Sequence, residues 1–103
     1  MASIDIKLTG SEAQIAWAAD IIAKSMETIE SNIALNQSRK SETGWSGYDM
    51  NIAAWEAVET EYKAIVESLD GQHASYVIDH KHALDANATT TRFDRAYTKL
   101  SNH

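Results

Sequence analysis

The stretch Leu8–Ile22 reads LTGSEAQIAWAADII and predicts the start of the longest helix in the chain. Thr9 and Glu12 have the spacing of a capping box, in which each side chain accepts the backbone N–H of the other residue. Apolar residues then recur at alternating steps of four and three, which places them in one stripe along a helix. This stripe comprises Ile15, Ala19, Ile22, Met26, Ile29 and Ile33. We therefore expect a first helix over residues 9–35.

The composition favours long, uninterrupted helices in one domain. The 103 residues include four glycines and no proline, the two residue types that helix interiors tolerate least. The absence of cysteine excludes a disulfide framework and a thiolate metal site. We find neither a signal-peptide pattern nor an apolar run of about 20 residues, the length that a membrane span needs. We expect a cytoplasmic protein without a membrane partner.

Local sequence patterns predict an extended arm, a loop and a second helix in the first two thirds of the chain. Residues 3–8 alternate polar and apolar side chains, so we expect residues 1–8 to form an extended arm packed onto the helices. Pairing of this arm with a second copy or a partner is the alternative. Residues 36–48 lack apolar periodicity and are predicted to form a loop. A second helix is expected over residues 49–70, with Asp49 as its N-cap and Gly71 just beyond its end.

The remaining segment predicts one further helix and a short fourth one. Residues 72–88 carry the third helix, which three consecutive threonines, Thr89–Thr91, should interrupt because β-branched residues lose side-chain freedom in a helix. Thr91 and Asp94 then have the spacing to cap a short helix over residues 91–100. The expected fold is an all-α, three-helix up-and-down bundle in a single domain. Its core should include three large aromatic residues, Trp17, Trp55 and Tyr62.

Two strings resemble a known group of proteins. Residues 8–18 match an LTGSE-x-QIAWA opening, and Tyr76–Lys81 reads YVIDHK, which is similar to an aromatic-Ile-Asp-polar-basic segment. Both are features of a loose group of small uncharacterised proteins from bacterial prophages and integrative elements. The chain departs from this group at Ala13, where a basic residue is expected, and at Val77, where Trp is expected. The resemblance implies a mobile-element origin and brings no catalytic residue or cofactor.

Two aromatic residues in the predicted loop are candidate binding residues. Trp45 and Tyr48 lie in a Gly-Ser setting, and aromatic residues of these types dominate binding hot spots. The alternative, which is the commoner fate of large aromatic side chains, is that they fold back over the end of the helix pair. The sequence leaves both interpretations open.

Charge suggests two further candidate surfaces. The chain has a formal net charge of −6, and one flank of the second helix is acidic. This flank is either a solvated face or a surface that competes with nucleic acid for a basic groove in a partner. Its acidic residues are Glu56, Glu59, Glu67 and Asp70. The end of the chain is mildly basic instead, and its candidate nucleic-acid contacts are Lys81, Arg92, Arg95 and Lys99. The overall negative charge opposes such binding.

No catalytic or metal-binding pattern stands out. His80 and His82 are two residues apart, so on a helix they point to different sides and cannot hold one metal. Gly44 and Gly47 lack the Lys-Ser/Thr pair of a phosphate-binding loop. We therefore expect neither an enzyme nor a metal or other cofactor.

The leading functional hypothesis is a non-enzymatic protein that binds and modulates a host or phage protein. Its most concrete form, prompted by the resemblance, is an anti-CRISPR inhibitor that binds a CRISPR effector. One alternative is a nucleic-acid-binding accessory protein that uses the basic C-terminal helices. Another is a structural or assembly component that forms a homo-oligomer.

Overall fold

The computed structural model describes residues 6–102, and over this range the protein is an all-α bundle of five helices, three of them long. The helices are α1 (Glu12–Thr43), α2 (Gly47–Ser68), α3 (Ala74–Asp79), α4 (Lys81–Leu84) and α5 (Ala86–Ser101). α1 and α2 form an antiparallel hairpin. α5 runs antiparallel to α2, because Arg92 contacts Glu61 while Lys99, two turns later, lies beside Ala57. The predicted all-α bundle is confirmed.

The core lies mainly between α1 and α2; α3 and α4 add buried residues, and α5 adds the partly buried Phe93 and Ala96. Trp55 and Tyr62 are buried there as predicted, and the ring of Trp55 stacks on Phe93 at 4.6 Å between centroids. The prediction for Trp17 is wrong, because this side chain is 50% exposed. Trp17 lies one turn before Ile21, at the edge of the buried stripe and beside an open groove. The ammonium group of Lys81 lies 5.6 Å from the centre of its ring.

α1 begins later than predicted because Thr9 is already engaged elsewhere. Ser11 is the N-cap, and its side chain accepts the N–H of Gln14, whose own side chain accepts the N–H of Ser11, each at 3.2 Å. Thr9 instead donates its N–H to the carbonyl of Gln72 at 3.0 Å and accepts the N–H of Ala74 at 2.8 Å. The capping box therefore exists, but two residues further along.

α1 also continues well past the predicted end at residue 35, and the predicted loop over residues 36–48 shrinks to a turn at 44–46. Apolar periodicity misses this part of the helix because polar contacts hold it against α2. The amide of Asn51 donates to the side-chain oxygen of Asn36 at 3.2 Å, and Lys40 pairs with Asp49. Gly44, with φ of 69°, ends the helix in the left-handed conformation that glycine adopts most easily.

The helix predicted over residues 72–88 is interrupted, but not by the threonines. The chain breaks at His80 and again at Asp85, whose carboxylate accepts the N–H of Ala88 at 3.0 Å and caps α5. Thr89 is buried inside α5, and its hydroxyl donates to the carbonyl of Ala86 at 2.6 Å. The Asp85 cap, worth about 1 kcal/mol, and the tertiary packing of the buried Thr89 override the helix propensity of the threonines, so α5 begins before them. The short helix predicted over 91–100 is thus the C-terminal part of a longer one.

The extended arm packs against the core within its described part, residues 6–8. Ile6 and Leu8 are half-buried against the hydrophobic cluster. The arm also pairs with the turn between α2 and α3, since the carbonyl of Lys7 accepts the N–H of Gly71 at 2.7 Å and the only bridge in the described chain joins Thr9 to His73. The remaining part of the predicted arm, residues 1–5, lies outside the described range. Among residues 6–102 no helix combines the length and apolarity of a membrane span.

Candidate functional site

The end of the α1–α2 hairpin, residues 40–49, carries the most exposed large hydrophobic side chain of the described chain, and we call it the hairpin tip. Trp45 is 62% exposed, whereas Tyr48 is half-buried. Their rings meet edge to face, with 5.2 Å between centroids and 84° between planes. This is a favoured geometry for aromatic pairs. The two predicted aromatic candidates therefore lie in one place and hold each other.

Backbone contacts keep Trp45 in position. A Cβ atom at Gly47 would collide with the indole ring, so the ring lies directly on the first turn of α2. The backbone N–H of Trp45 donates to the hydroxyl of Thr43 at 3.2 Å. Part of the indole thus covers the start of α2, and most of the side chain remains open to solvent, so its role as a binding residue stays a prediction.

Side-chain hydrogen bonds hold α1 and α2 together between the core and the hairpin tip. Side-chain amides form a chain of hydrogen bonds along α1: Asn36 donates to the carbonyl of Asn32 and Asn32 to that of Thr28, each at 2.7 Å. Asn51 on α2 completes the chain through the side-chain oxygen of Asn36. The hydrophobic cluster reaches only to Ile33 on α1. The outer end of the hairpin is therefore held by hydrogen bonds and the Lys40–Asp49 ion pair.

The acidic residues predicted on α2 do not form one site with the hairpin tip. Glu56 and Glu67 are exposed, and the carboxylate of Glu59 lies 3.9 Å from the ammonium of Lys63 on the same flank. Asp70 has a structural contact instead, because its carboxylate accepts the N–H of Lys7 at 2.7 Å. It also lies about 33 Å from Tyr48 along the helix, given a rise of 1.5 Å per residue.

Three of the four predicted cationic residues converge. Arg92, Arg95 and Lys99 lie along α5 and face α2, and we call this region, with Glu61 of α2 and His82 of α4, the cationic groove. Lys81 lies against Trp17 and lines neither of the two cavities in the groove. The sequence did not predict that Glu61 and His82 lie near these cations, because their approach to α5 depends on how the helices pack and not on sequence spacing.

Arg92 is the most enclosed cation of this groove. Its side chain is 14% exposed, forms an ion pair with Glu61 and donates to the carbonyl of Ala83 at 3.3 Å. Its Nε is buried and finds no hydrogen-bond partner in the described part of the chain. Arg92 thus connects α5 to α2 and α4, and this structural role occupies most of its side chain.

The two histidines that flank α3, His73 and His80, have structural partners. His73 caps α3 by accepting the N–H of Ser75 at 3.1 Å, and the ring of His80 stacks on Tyr76 at 4.2 Å between centroids. Within residues 6–102 no three metal-ligating side chains come together. Burial raises the pKa of the Tyr62 hydroxyl. The Tyr62 hydroxyl donates to the carbonyl of Leu84 at 2.6 Å, so it acts as a buried donor.

Comparisons with protein-family models, with curated protein sequences and with solved structures find no match to this chain.

Proposed function

We propose that this chain is a non-enzymatic protein-binding module that contacts its partner through the hairpin tip. One observation carries the proposal: Trp45 is held in place against Gly47 and Tyr48 while 62% of it stays exposed. An exposed tryptophan that is already ordered loses little conformational freedom on binding, and burying it in a partner's pocket supplies a large apolar contact. The acidic flank of α2 is a secondary candidate contact, since Glu56 and Glu67 are free to face solvent.

The test is a pull-down of the tagged chain from bacterial lysate, with and without nuclease treatment. The chain provides its own matched control, because Trp17 is also a half-exposed tryptophan but lies at the other end of α1. We expect one protein that the wild type and Trp17→Ala retain and that Trp45→Ala loses, in both nuclease conditions. Equal retention by Trp45→Ala and wild type would refute the role of the hairpin tip. Retention that depends on nucleic acid would refute a direct protein contact.

The resemblance to mobile-element proteins suggests a particular class of partner. We propose a cytoplasmic bacterial target, most concretely a CRISPR effector, whose positively charged nucleic-acid channel is complementary to a chain of net charge −6. Expression of the chain should then restore phage plaquing in cells that carry a susceptible effector, and Trp45→Ala should reduce the restoration. If no effector in a broad panel is inhibited, the CRISPR form of the proposal fails. The pull-down would still decide the more general form.

The two alternatives have less support. For nucleic-acid binding, Lys81 is separated from the groove by its contact with Trp17, and Arg92 is already paired with Glu61. A gel shift at low salt would revive that alternative. For a homo-oligomer, one backbone edge of the described part of the arm is already paired within the chain, so a second copy cannot use that edge. Light scattering that shows a stable dimer would reopen it.

A further inference from the structure

The cationic groove contains enough open volume for a small ligand. Arg92 and Arg95 line two adjoining cavities, one of about 340 Å³ that His82 also lines and one of about 210 Å³ that Lys99 also lines. Small side chains leave this space open, namely Ala57, Ala83, Ala88 and Ala96. Ligand cavities in proteins commonly begin at about this size.

The positive charge in the groove is only partly neutralised. Glu61 pairs with Arg92, whereas neither Arg95 nor Lys99 forms an ion pair within residues 6–102. Arg95 and Lys99 are four residues apart on α5, so their side chains are neighbours and repel each other. An anion between them would relieve this repulsion. Arg92 is already held by Glu61 and the Ala83 carbonyl, so its guanidinium is fixed in place beside the two unpaired cations before any ligand arrives.

We propose that the cationic groove binds the phosphate group of a small soluble ligand, with Arg95 and Lys99 as direct contacts. The planar guanidinium of an arginine matches two phosphate oxygens at once, and a lysine adds a third charge-assisted hydrogen bond. Glu61 within the groove and Asp94 beside Arg95 place negative charges next to these cations, which favours a small anion over an extended one. The net charge of −6 further disfavours a long polyanion, so the ligand is a small molecule and not a nucleic acid.

The probe is sodium pyrophosphate, titrated into the full chain by calorimetry and by NMR at constant ionic strength. We expect saturable binding to one site, with the largest amide shifts on the second half of α5. Lys99→Ala should weaken binding about tenfold, the factor expected for losing one charge-assisted hydrogen bond, and Arg95→Ala, which loses two, should weaken it more. Arg39→Ala is the matched control, because Arg39 is an exposed arginine on α1 far from the groove, and it should bind like the wild type.

Three results would overturn the proposal. The first is the absence of saturable binding. The second is equal affinity for Arg95→Ala and wild type when circular dichroism shows both to be folded. The third is tighter binding of a short single-stranded oligonucleotide than of pyrophosphate, with a steep salt dependence that Arg95→Ala removes, because this would identify the groove as a nucleic-acid surface.

Discussion

The carbonyl of Leu84 offers a sharp test of how the bundle is held together. This carbonyl lies at the end of α4, and the hydroxyls of Ser25 and Tyr62 both reach it at 2.6 Å. Both hydroxyl-bearing residues are fully buried. The three residues therefore tie α1 and α2 to the junction between α4 and α5, and removing the two hydroxyls together leaves a buried acceptor without a donor.

The expected losses in the free energy of unfolding depend on whether one donor to the Leu84 carbonyl is removed or both. Tyr62→Phe or Ser25→Ala alone should lower the free energy of unfolding by about 1 kcal/mol, because the other hydroxyl still satisfies the carbonyl. The double variant adds the cost of an unsatisfied buried carbonyl, about 1–3 kcal/mol. We therefore expect a total loss of about 3–5 kcal/mol, with a coupling energy of at least about 1 kcal/mol between the two sites.

Urea unfolding followed by circular dichroism measures the stability of the wild type, the two single variants and the double variant, which together form a double-mutant cycle. Tyr76→Phe is the matched control, because Tyr76 is 44% exposed and its substitution should change the unfolding midpoint little. Strict additivity of Tyr62→Phe and Ser25→Ala would refute the reasoning, since it would mean that the two hydroxyls do not share one acceptor. A loss in the control as large as in Tyr62→Phe would also refute it.

Three further predictions concern titration, the hairpin tip and α5. Burial raises the pKa of Tyr62, so the folded state resists ionisation: its contribution to stability is complete below the ordinary pKa of about 10 and is lost as the pH rises above it. Urea midpoints measured against pH should fall more steeply in the wild type than in Tyr62→Phe, and identical slopes would contradict this. Gly47→Ala should displace the indole ring of Trp45, because the added Cβ occupies its space. NMR should then show loss of the ring contacts between Trp45 and Tyr48 while the Trp55 signal is unchanged; retained contacts would show that the ring does not depend on Gly47. Asp85→Ala removes the side-chain cap of α5 and should cost about 1 kcal/mol in urea unfolding, whereas Asp79→Ala, at the end of α3, should cost much less. Equal losses would mean that the cap at Asp85 does not stabilise α5.

The turn between the first two helices shows where prediction from the sequence stops. Gly44 is a recognisable helix end, yet the polar residues before it were predicted as a loop because they carry no apolar stripe. They are helical because Asn36 and Lys40 find partners on α2. Only the packed hairpin supplies those partners, so no pattern within residues 36–43 contains the information.

The same reasoning applies to the candidate sites. Trp45 and Tyr48 were identifiable from residue type, because exposed aromatic residues in a polar segment are candidate anchors whatever the fold. The contact of Trp45 with Gly47 is visible only in the structure. The cationic groove depends on the tertiary structure still more, since Glu61 lies 31 residues before Arg92 and approaches α5 from α2.

The sequence by itself determined the class of this protein: an all-α chain with the core residues Trp55 and Tyr62, because helical periodicity and the lack of proline are local properties. The tertiary structure decided the helix ends, the exposure of Trp17 and the meeting of Arg92, Arg95 and Lys99 with Glu61. These features depend on competition between partners across the bundle. Thr9 loses its capping role because the turn at 71–74 takes both of its backbone groups, and that choice exists only after the chain has folded.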